Sequence, residues 1–335
     1  MTHECGNILR SVICPTAIKD YVSCHYMTPP LSSCKLIKAC GSNDIYLLHA
    51  NEKSYIAKIY SKRACWNFTK EHYLFELSFQ HFLEKKGIQT AAPLKNNQTS
   101  IVSEFQSPEY KKFFSLHPFI KKDAKHQTTS KKYSNLGVSL AMLHKEGKKF
   151  TPPTERVLSI DFLIDAPLER IHSLENSLSL ELHKKFDLLA QGIKKDLTEI
   201  SFSSFDEGII HGDMHCGNFL LSEKNIAILD FELCGYGKYI YDLSTLYWDI
   251  VLFKEEKDFS SIWNPFVKGY ESTAHIKREE FQSIPTIAKA RHFFMIGSSY
   301  ILYPELAKFH TEKRLAQDLN KIERFESTTS RIEAI

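Results

Sequence analysis

The most informative segment of the sequence is residues 209–237, IIHGDMHCGNFLLSEKNIAILDFELCGYG. Asp213 and Asn218 are five residues apart in it, within a loop that Gly212 allows to bend sharply. Asp230 follows twelve residues after Asn218 and ends the apolar run NIAIL. A short hairpin between these two points would bring Asp230 back beside Asn218. The spacing therefore predicts one cluster of two carboxylates and an amide.

This cluster has the chemistry that phosphoryl transfer needs, namely positioning and charge neutralisation. A carboxylate such as Asp213 can orient a hydroxyl nucleophile, while the oxygens of Asn218 and Asp230 can hold magnesium, which prefers hard oxygen ligands. Each of the three could instead be a turn or strand-end residue, but their joint spacing favours the catalytic interpretation. His211 and His215 share the loop, so we interpret His211 as a packed anchor and His215 as lining the site.

The composition is that of an ordinary globular chain. Its 335 residues are 43% hydrophobic and 25% charged, which excludes wholesale disorder, and a net charge of +3 is too balanced to indicate nucleic-acid or membrane binding. No apolar run reaches the length of a transmembrane helix and no signal peptide is evident, so we expect a cytoplasmic protein. The eight cysteines include no CxxC pair, so structural zinc is not indicated.

The predicted elements change character along the chain. The first part combines two predicted helices, around 15–22 and 67–86, with strands predicted around 35–39, 45–50, 54–60, 100–104 and 113–116. The second part is mostly helical, with predicted helices over 128–146 and 182–200, short strands between 209 and 233, and further helices from 241 onward. The pattern predicts an α+β fold in which a β-rich unit precedes a helical one.

The quoted segment resembles the HGDxHxGN…DFE core of the aminoglycoside phosphotransferase/choline kinase superfamily. The members of this superfamily are small-molecule kinases with a protein-kinase-like fold. The resemblance implies a bilobal α+β fold with a Mg-nucleotide in the cleft. It implies an N-terminal nucleotide-binding lobe over residues 1–116, and a C-terminal catalytic and acceptor-binding lobe over 117–335. It also implies that Asp213 is the catalytic base and that Asn218 and Asp230 are the metal ligands.

The resemblance extends to a lysine in the first lobe. YIAKIY places Lys58 in mid-strand, as in the kinase strand whose lysine meets the α- and β-phosphates. Such a lysine needs a glutamate partner on the following helix, where Glu71 and Glu76 compete. Glu76 begins ELSFQHFLEKKGIQTAAPL, which resembles the helix pattern of the family, so we choose Glu76 as the partner.

Position alone implies two further groups of nucleotide contacts. Gly41, Ser42 and Asn43, in ACGSNDIY, stand where the family covers the phosphates, although an ordinary hairpin turn fits them nearly as well. His117 and Phe119, in FFSLHPFIKK, fall where the inter-lobe hinge should be, so that their backbone groups would meet a purine edge.

Two scaffold features complete the resemblance. Asp242, in YDLSTL, resembles the structural aspartate that ties the catalytic loop down in the family. LGVSLAMLHKEG resembles the LGxxLAxLH helix, which makes residues 136–144 scaffold and His144 a structural residue.

The sequence therefore predicts an ATP- or GTP-dependent kinase with Mg²⁺ as cofactor. Its partner would be a small-molecule hydroxyl acceptor, such as an aminoglycoside-type antibiotic, choline, a sugar or a homoserine-like molecule, and we expect no nucleic-acid or membrane partner. The alternatives are a Ser/Thr protein kinase of the stress-response type and a non-catalytic kinase-like binding protein. The acceptor region resembles nothing specific, so the sequence identifies neither the acceptor nor the oligomeric state.

Overall fold

The computed structural model describes residues 11–40, 43–60, 69–121, 129–173, 178–221, 226–301 and 312–327. The chain forms two compact units. The first lies within Met1–His81 and Ala91–Lys121, and the second within Phe82–Thr90 and Lys122–Ile335. None of the described helices is long and apolar enough to cross a lipid bilayer.

The first unit is an antiparallel sheet with two helices. Its strands are β1 (Ser33–Cys40), β2 (Asn43–Ala50), β3 (Lys53–Tyr60), β5 (Ser103–Gln106) and β6 (Lys111–Pro118), in the order β1-β2-β3-β6-β5. Its helices are α1 (Pro15–His25) and α2 (Lys70–Lys85), of which α2 belongs to this unit up to His81. β6 pairs with β3 as far as Pro118, so this strand continues across the predicted lobe boundary at residue 116.

Both helices pack on the sheet through apolar side chains. Ile18 and Val22 lie one turn apart on α1 and are fully buried with the side chains of β2 and β3. Tyr73 and Leu77 have the same spacing on α2 and pack against Tyr60 at the end of β3. The helical spacing of apolar residues in these segments thus corresponds to one buried face on each helix.

The second unit is mainly helical. Its helices are α3 (Ser130–Gly147), α4 (Ile160–His172), α5 (Leu180–Thr198), α6 (Ile240–Phe253), α7 (Phe259–Glu271), α8 (Arg278–Ile301), α9 (Glu312–Asn320) and α10 (Glu323–Ser327). Every residue from Ile240 to Leu252 is buried, so α6 is the central helix of this unit, and it contacts both α7 and α8. The sequence pattern does not predict α4.

Three short strand pairings complete the second unit. They involve β4 (Gln89–Thr90), β7 (Glu207–Ile210), β8 (Phe219–Leu221), β9 (Ile226–Ile228) and β10 (Gly235–Lys238). β8 and β9 form the predicted hairpin, β4 pairs parallel to β9, and β7 pairs antiparallel to β10. The architecture therefore confirms the predicted α+β class.

Candidate active site

The loop between β7 and β8 holds Asp213 and Asn218 in contact, and the hairpin of β8 and β9 returns the chain to Asp230. The Nδ2 atom of Asn218 donates hydrogen bonds to the main-chain oxygen and to Oδ2 of Asp213, both at 2.9 Å. The backbone N–H of Leu229 donates to the oxygen of Asn218 at 2.7 Å, which extends the hairpin and leaves Asp230 beside the loop. Because Nδ2 of Asn218 faces Asp213, its amide oxygen is the atom left to serve as a ligand.

Asp230 has an exposed carboxylate on a left-handed backbone. Its φ is +58°, a conformation that few residues other than glycine adopt, although aspartate and asparagine tolerate it. This backbone ends β9 and starts the 3₁₀ turn Phe231–Leu233. One carboxylate and one amide oxygen form a hard-oxygen donor set, which suits magnesium because that ion keeps several waters and also binds substrate phosphates.

His211 and His215 contact Asp213 in different ways. His211 is fully buried; its Nδ1 accepts the N–H of Asp213 at 3.2 Å and its Nε2–H donates to the oxygen of Leu229 at 2.8 Å. His211 therefore joins the two arms of the loop as a packed anchor. His215 is 30% exposed, and its Nε2 lies 3.7 Å from Oδ2 of Asp213, so it lies beside the candidate base.

Asp242 ties the loop to the helical core. This fully buried carboxylate accepts hydrogen bonds from the N–H of His211 at 2.7 Å and of Gly212 at 2.8 Å, and from Nε2 of His144 at 3.0 Å. Gly212 has a φ of +78°, and a Cβ there would come within 2.2 Å of the Leu233 oxygen. The sharp bend therefore requires glycine, and the geometry agrees with the structural roles predicted for Asp242 and His144.

Replacing Asp242 by asparagine should destabilise the fold by about 2–6 kcal/mol, because its NH₂ group would leave about two buried N–H donors without an acceptor, at about 1–3 kcal/mol each. Burial raises the pKa of Asp242, but its bonds from His144 and the backbone outweigh this and lower the pKa below its ordinary value. A depressed folded pKa means that the stabilisation is present at neutral pH and is lost as the pH falls through that pKa. Urea denaturation of both proteins measures the difference.

The matched control is Asp187→Asn, because Asp187 pairs with His172 at 2.7 Å on the surface. Exposed pairs contribute little to stability, so this variant should unfold close to the wild-type midpoint. Equal destabilisation by the two substitutions would contradict the anchoring role of Asp242.

Arg291 is a site residue that the sequence motifs do not indicate. It lies on α8, its side chain is 1% exposed, and its Nη2 donates to Oδ1 of Asp213. Its Nη1 donates to the hydroxyl of Tyr241 at 3.3 Å. The sequence does place this arginine within a largely apolar helical segment, IAKARHFFMIG. That position indicates a buried charge but does not identify its partner.

In the first unit, the predicted lysine and glutamate lie together. Nζ of Lys58 is 3.7 Å from Oε1 of Glu76, with side-chain exposures of 11% and 1%. The hydroxyl of Tyr60 donates to the same Oε1 at 2.5 Å, and burial together with the Glu76 charge raises the pKa of Tyr60 well above its usual value. Glu71, the competing candidate, is exposed in the first turn of α2. Glu76 is therefore the helix carboxylate beside Lys58.

The predicted phosphate-covering loop is described only at its end. Gly41 and Ser42 lie outside the described residues. Asn43 is buried at the start of β2 and stands opposite Tyr60 in the pairing of β2 with β3. Asn43 thus belongs to the strand, next to the end of β3 that follows Lys58.

The predicted hinge residues belong to the last strand of the first sheet and its continuation. His117 is buried; its Nε2 is 2.8 Å from Oγ of Ser115 and its Nδ1 is 2.5 Å from the oxygen of Ala91. The backbone N–H of Phe119 donates to the oxygen of Ser54 at 3.0 Å, so this group is used within the sheet. A purine contact by these two residues stays a prediction.

Most of the chain matches a known protein family. Residues 33–260 match the phosphotransferase enzyme family. A homoserine kinase of Rhizobium meliloti (strain 1021) is 24% identical, over 81% of this chain and 80% of that protein.

Solved structures agree on the fold. The structure of an amicoumacin kinase in complex with AMP-PNP, Ca²⁺ and Ami has a TM-score of 0.75 at 18% identity and covers 95% of this chain and 94% of that one. A microcompartment-associated aminopropanol kinase has a TM-score of 0.71 at 15% identity and covers 95% and 98%. These matches confirm the predicted protein-kinase-like α+β fold.

Proposed function

Because the chain belongs to the phosphotransferase enzyme family, we propose that it transfers the γ-phosphate of a Mg-nucleotide to a hydroxyl group of a small molecule. The observation that carries the proposal is the contact of Asp213 with Asn218 at the mouth of the hairpin that ends in Asp230. This arrangement combines a carboxylate that can face a hydroxyl with two oxygen donors that can face a cation.

Each of these side chains has a distinct role in the proposed reaction. Asp213 orients the acceptor hydroxyl and takes its proton late in the transfer. Asn218 and Asp230 would hold the metal, and magnesium bound there would neutralise charge on the phosphates. In the first unit, Lys58 donates to the α- and β-phosphates, and Glu76 keeps the lysine in position.

The class of acceptor is suggested by the relatives. Homoserine and aminopropanol, the substrates in the names of two similar kinases, each carry a hydroxyl and an amine. An amino alcohol therefore heads the list of acceptors that we propose. Choline, aminoglycosides and sugars are the next candidates, because the proposed chemistry involves only a hydroxyl group, which each of them carries.

The test is Mg²⁺-dependent release of ADP or GDP by purified protein in the presence of homoserine, aminopropanol, ethanolamine, choline, aminoglycosides, sugars or a generic protein substrate. Turnover stimulated by an amino alcohol supports the proposal. Stimulation by protein alone, or autophosphorylation, identifies a protein kinase instead. Tight nucleotide binding without turnover on any acceptor identifies a non-catalytic binding protein.

Replacing Lys58 by methionine should raise the dissociation constant of the nucleotide about 10-fold or more, since hydrogen bonds to charged groups contribute roughly 1.5–3 kcal/mol. Methionine keeps much of the aliphatic stem but loses the charge. Isothermal titration with a non-hydrolysable ATP analogue measures the change. Lys53→Met, on the exposed start of the same strand, is the control and should bind like wild type. Unchanged affinity in Lys58→Met would contradict the assigned role.

A further inference from the structure

The carboxylate of Asp213 is held from two directions. Arg291 donates to Oδ1, whereas Asn218 donates to Oδ2 at 2.9 Å. The side chain keeps 19% exposure, so it is accessible to a small molecule although both of its oxygens are bonded. A carboxylate has about four acceptor positions, and the two bonds fix the orientation of those that remain.

Arg291 is itself firmly placed. The side chain is almost fully buried on α8, its Nη1 reaches the Tyr241 hydroxyl, and its guanidinium carbon lies 5.5 Å from the ring centres of both Trp248 and Phe294. Among the described residues, Asp213 is the one carboxylate that forms an ion pair with it. The planar guanidinium of an arginine presents its N–H donors in a fixed geometry. It therefore constrains the orientation of a bonded carboxylate more closely than the flexible ammonium of a lysine would.

The buried ion pair of Arg291 is poor evidence that this residue stabilises the fold. Apolar residues of similar volume in place of a buried ion pair often stabilise a protein as well or better. A buried arginine that contacts a partly exposed carboxylate of the site is better explained by the geometry that it imposes on that carboxylate.

We propose that Arg291 is a positioning residue for phosphoryl transfer, which sets the rotation of the Asp213 carboxylate toward the acceptor hydroxyl. The inference rests on the proposed function, since the hydroxyl is the group that Asp213 would orient. Arg291 acts through Asp213, because its burial leaves almost no surface for an acceptor to touch.

Arg291→Met should lower kcat about 100-fold, the loss expected when a reacting group is misplaced by about 1 Å. The affinity for nucleotide should change less than about threefold, because no bond to the metal ligands is removed. Arg291→Lys keeps the charge without the planar guanidinium, so it should recover part of kcat. Lys289→Met is the matched control: Lys289 lies on the same helix, and its Nζ is 3.8 Å from the surface carboxylate of Asp196.

Combining Arg291→Met with Asp213→Asn separates positioning from general destabilisation. If Arg291 acts through Asp213, its replacement should cost almost nothing further in the Asp213→Asn background. An equal loss in both backgrounds, or an equal loss from Lys289→Met, would overturn the proposal.

Crystal structures of the wild type and of Arg291→Lys give a readout that needs no acceptor. We expect the Asp213 carboxylate to rotate in the variant, and an unmoved carboxylate overturns the positioning role. Absence of acceptor-stimulated turnover in the wild type would instead contradict the proposed function, so the two failures are distinguishable.

Discussion

Asp213→Asn is expected to lower acceptor-stimulated turnover about 10³-fold, within the range of 10²–10⁴ that positioned acid–base groups contribute. Asparagine preserves the size of the side chain but removes its charge. It also brings an NH₂ group into the carboxylate's place, where Arg291 and Asn218 both donate. The variant therefore loses the proton acceptor and creates a clash between donors.

Steady-state assays of nucleotide release with a saturating acceptor measure this loss. The control is Asp206→Asn, because Asp206 is half-exposed and pairs with Lys277 at 2.9 Å on the surface. Nucleotide binding should be nearly unchanged in both variants, since neither aspartate is a proposed nucleotide contact. If Asp213→Asn kept more than a tenth of the wild-type rate, Asp213 would not be the catalytic base.

Asp230→Asn is expected to lower kcat/KM at least about 100-fold, because a phosphoryl-transfer metal supplies several kcal/mol of charge stabilisation. Asparagine offers a neutral oxygen in place of a carboxylate, which weakens the attraction for a divalent cation. The substitution is conservative for the backbone, because asparagine tolerates the left-handed conformation that Asp230 adopts at φ +58°. The loss can therefore be attributed to the metal site.

Titration with Mn²⁺ in the presence of a non-hydrolysable nucleotide, followed by electron paramagnetic resonance of the free ion, measures metal binding directly. Asp230→Asn should bind the ion much more weakly than wild type, whereas Asp213→Asn, which removes no metal ligand, should lose distinctly less affinity for it. Both variants should lose turnover, so the difference in metal affinity separates the two roles. Wild-type Mn²⁺ affinity in Asp230→Asn would exclude Asp230 as a metal ligand.

Local sequence was sufficient to predict the loop and the hairpin. The apolar runs NFLL and NIAI are short and separated by polar residues, so they favour two antiparallel strands, and pairing of Phe219 with Ile228 follows from that register. Once the hairpin forms, Asp230 has to lie near Asn218. The choice of Glu76 over Glu71 rested on the family resemblance, and the helix places Glu76 beside Lys58.

Other features depend on which helices pack together, which local patterns do not specify. The pairs Asp213–Arg291 and His144–Asp242 join residues 78 and 98 positions apart. The helix at Ile160–His172 was not predicted at all, and it contains Pro167 within its span, which reduces the helical signal.

The α+β class follows from the order of the strand and helix patterns along the chain. The hairpin that returns Asp230 toward Asn218 and Asp213 is also predictable from the sequence, because strand pairing over a few residues depends on local polarity and turn residues. The contact between the Asp213 carboxylate and Arg291, in contrast, depends on how the helices pack. That contact requires α8 to pack so that a buried arginine finds its counter-charge, and the free energy of that arrangement comes from the whole helical unit.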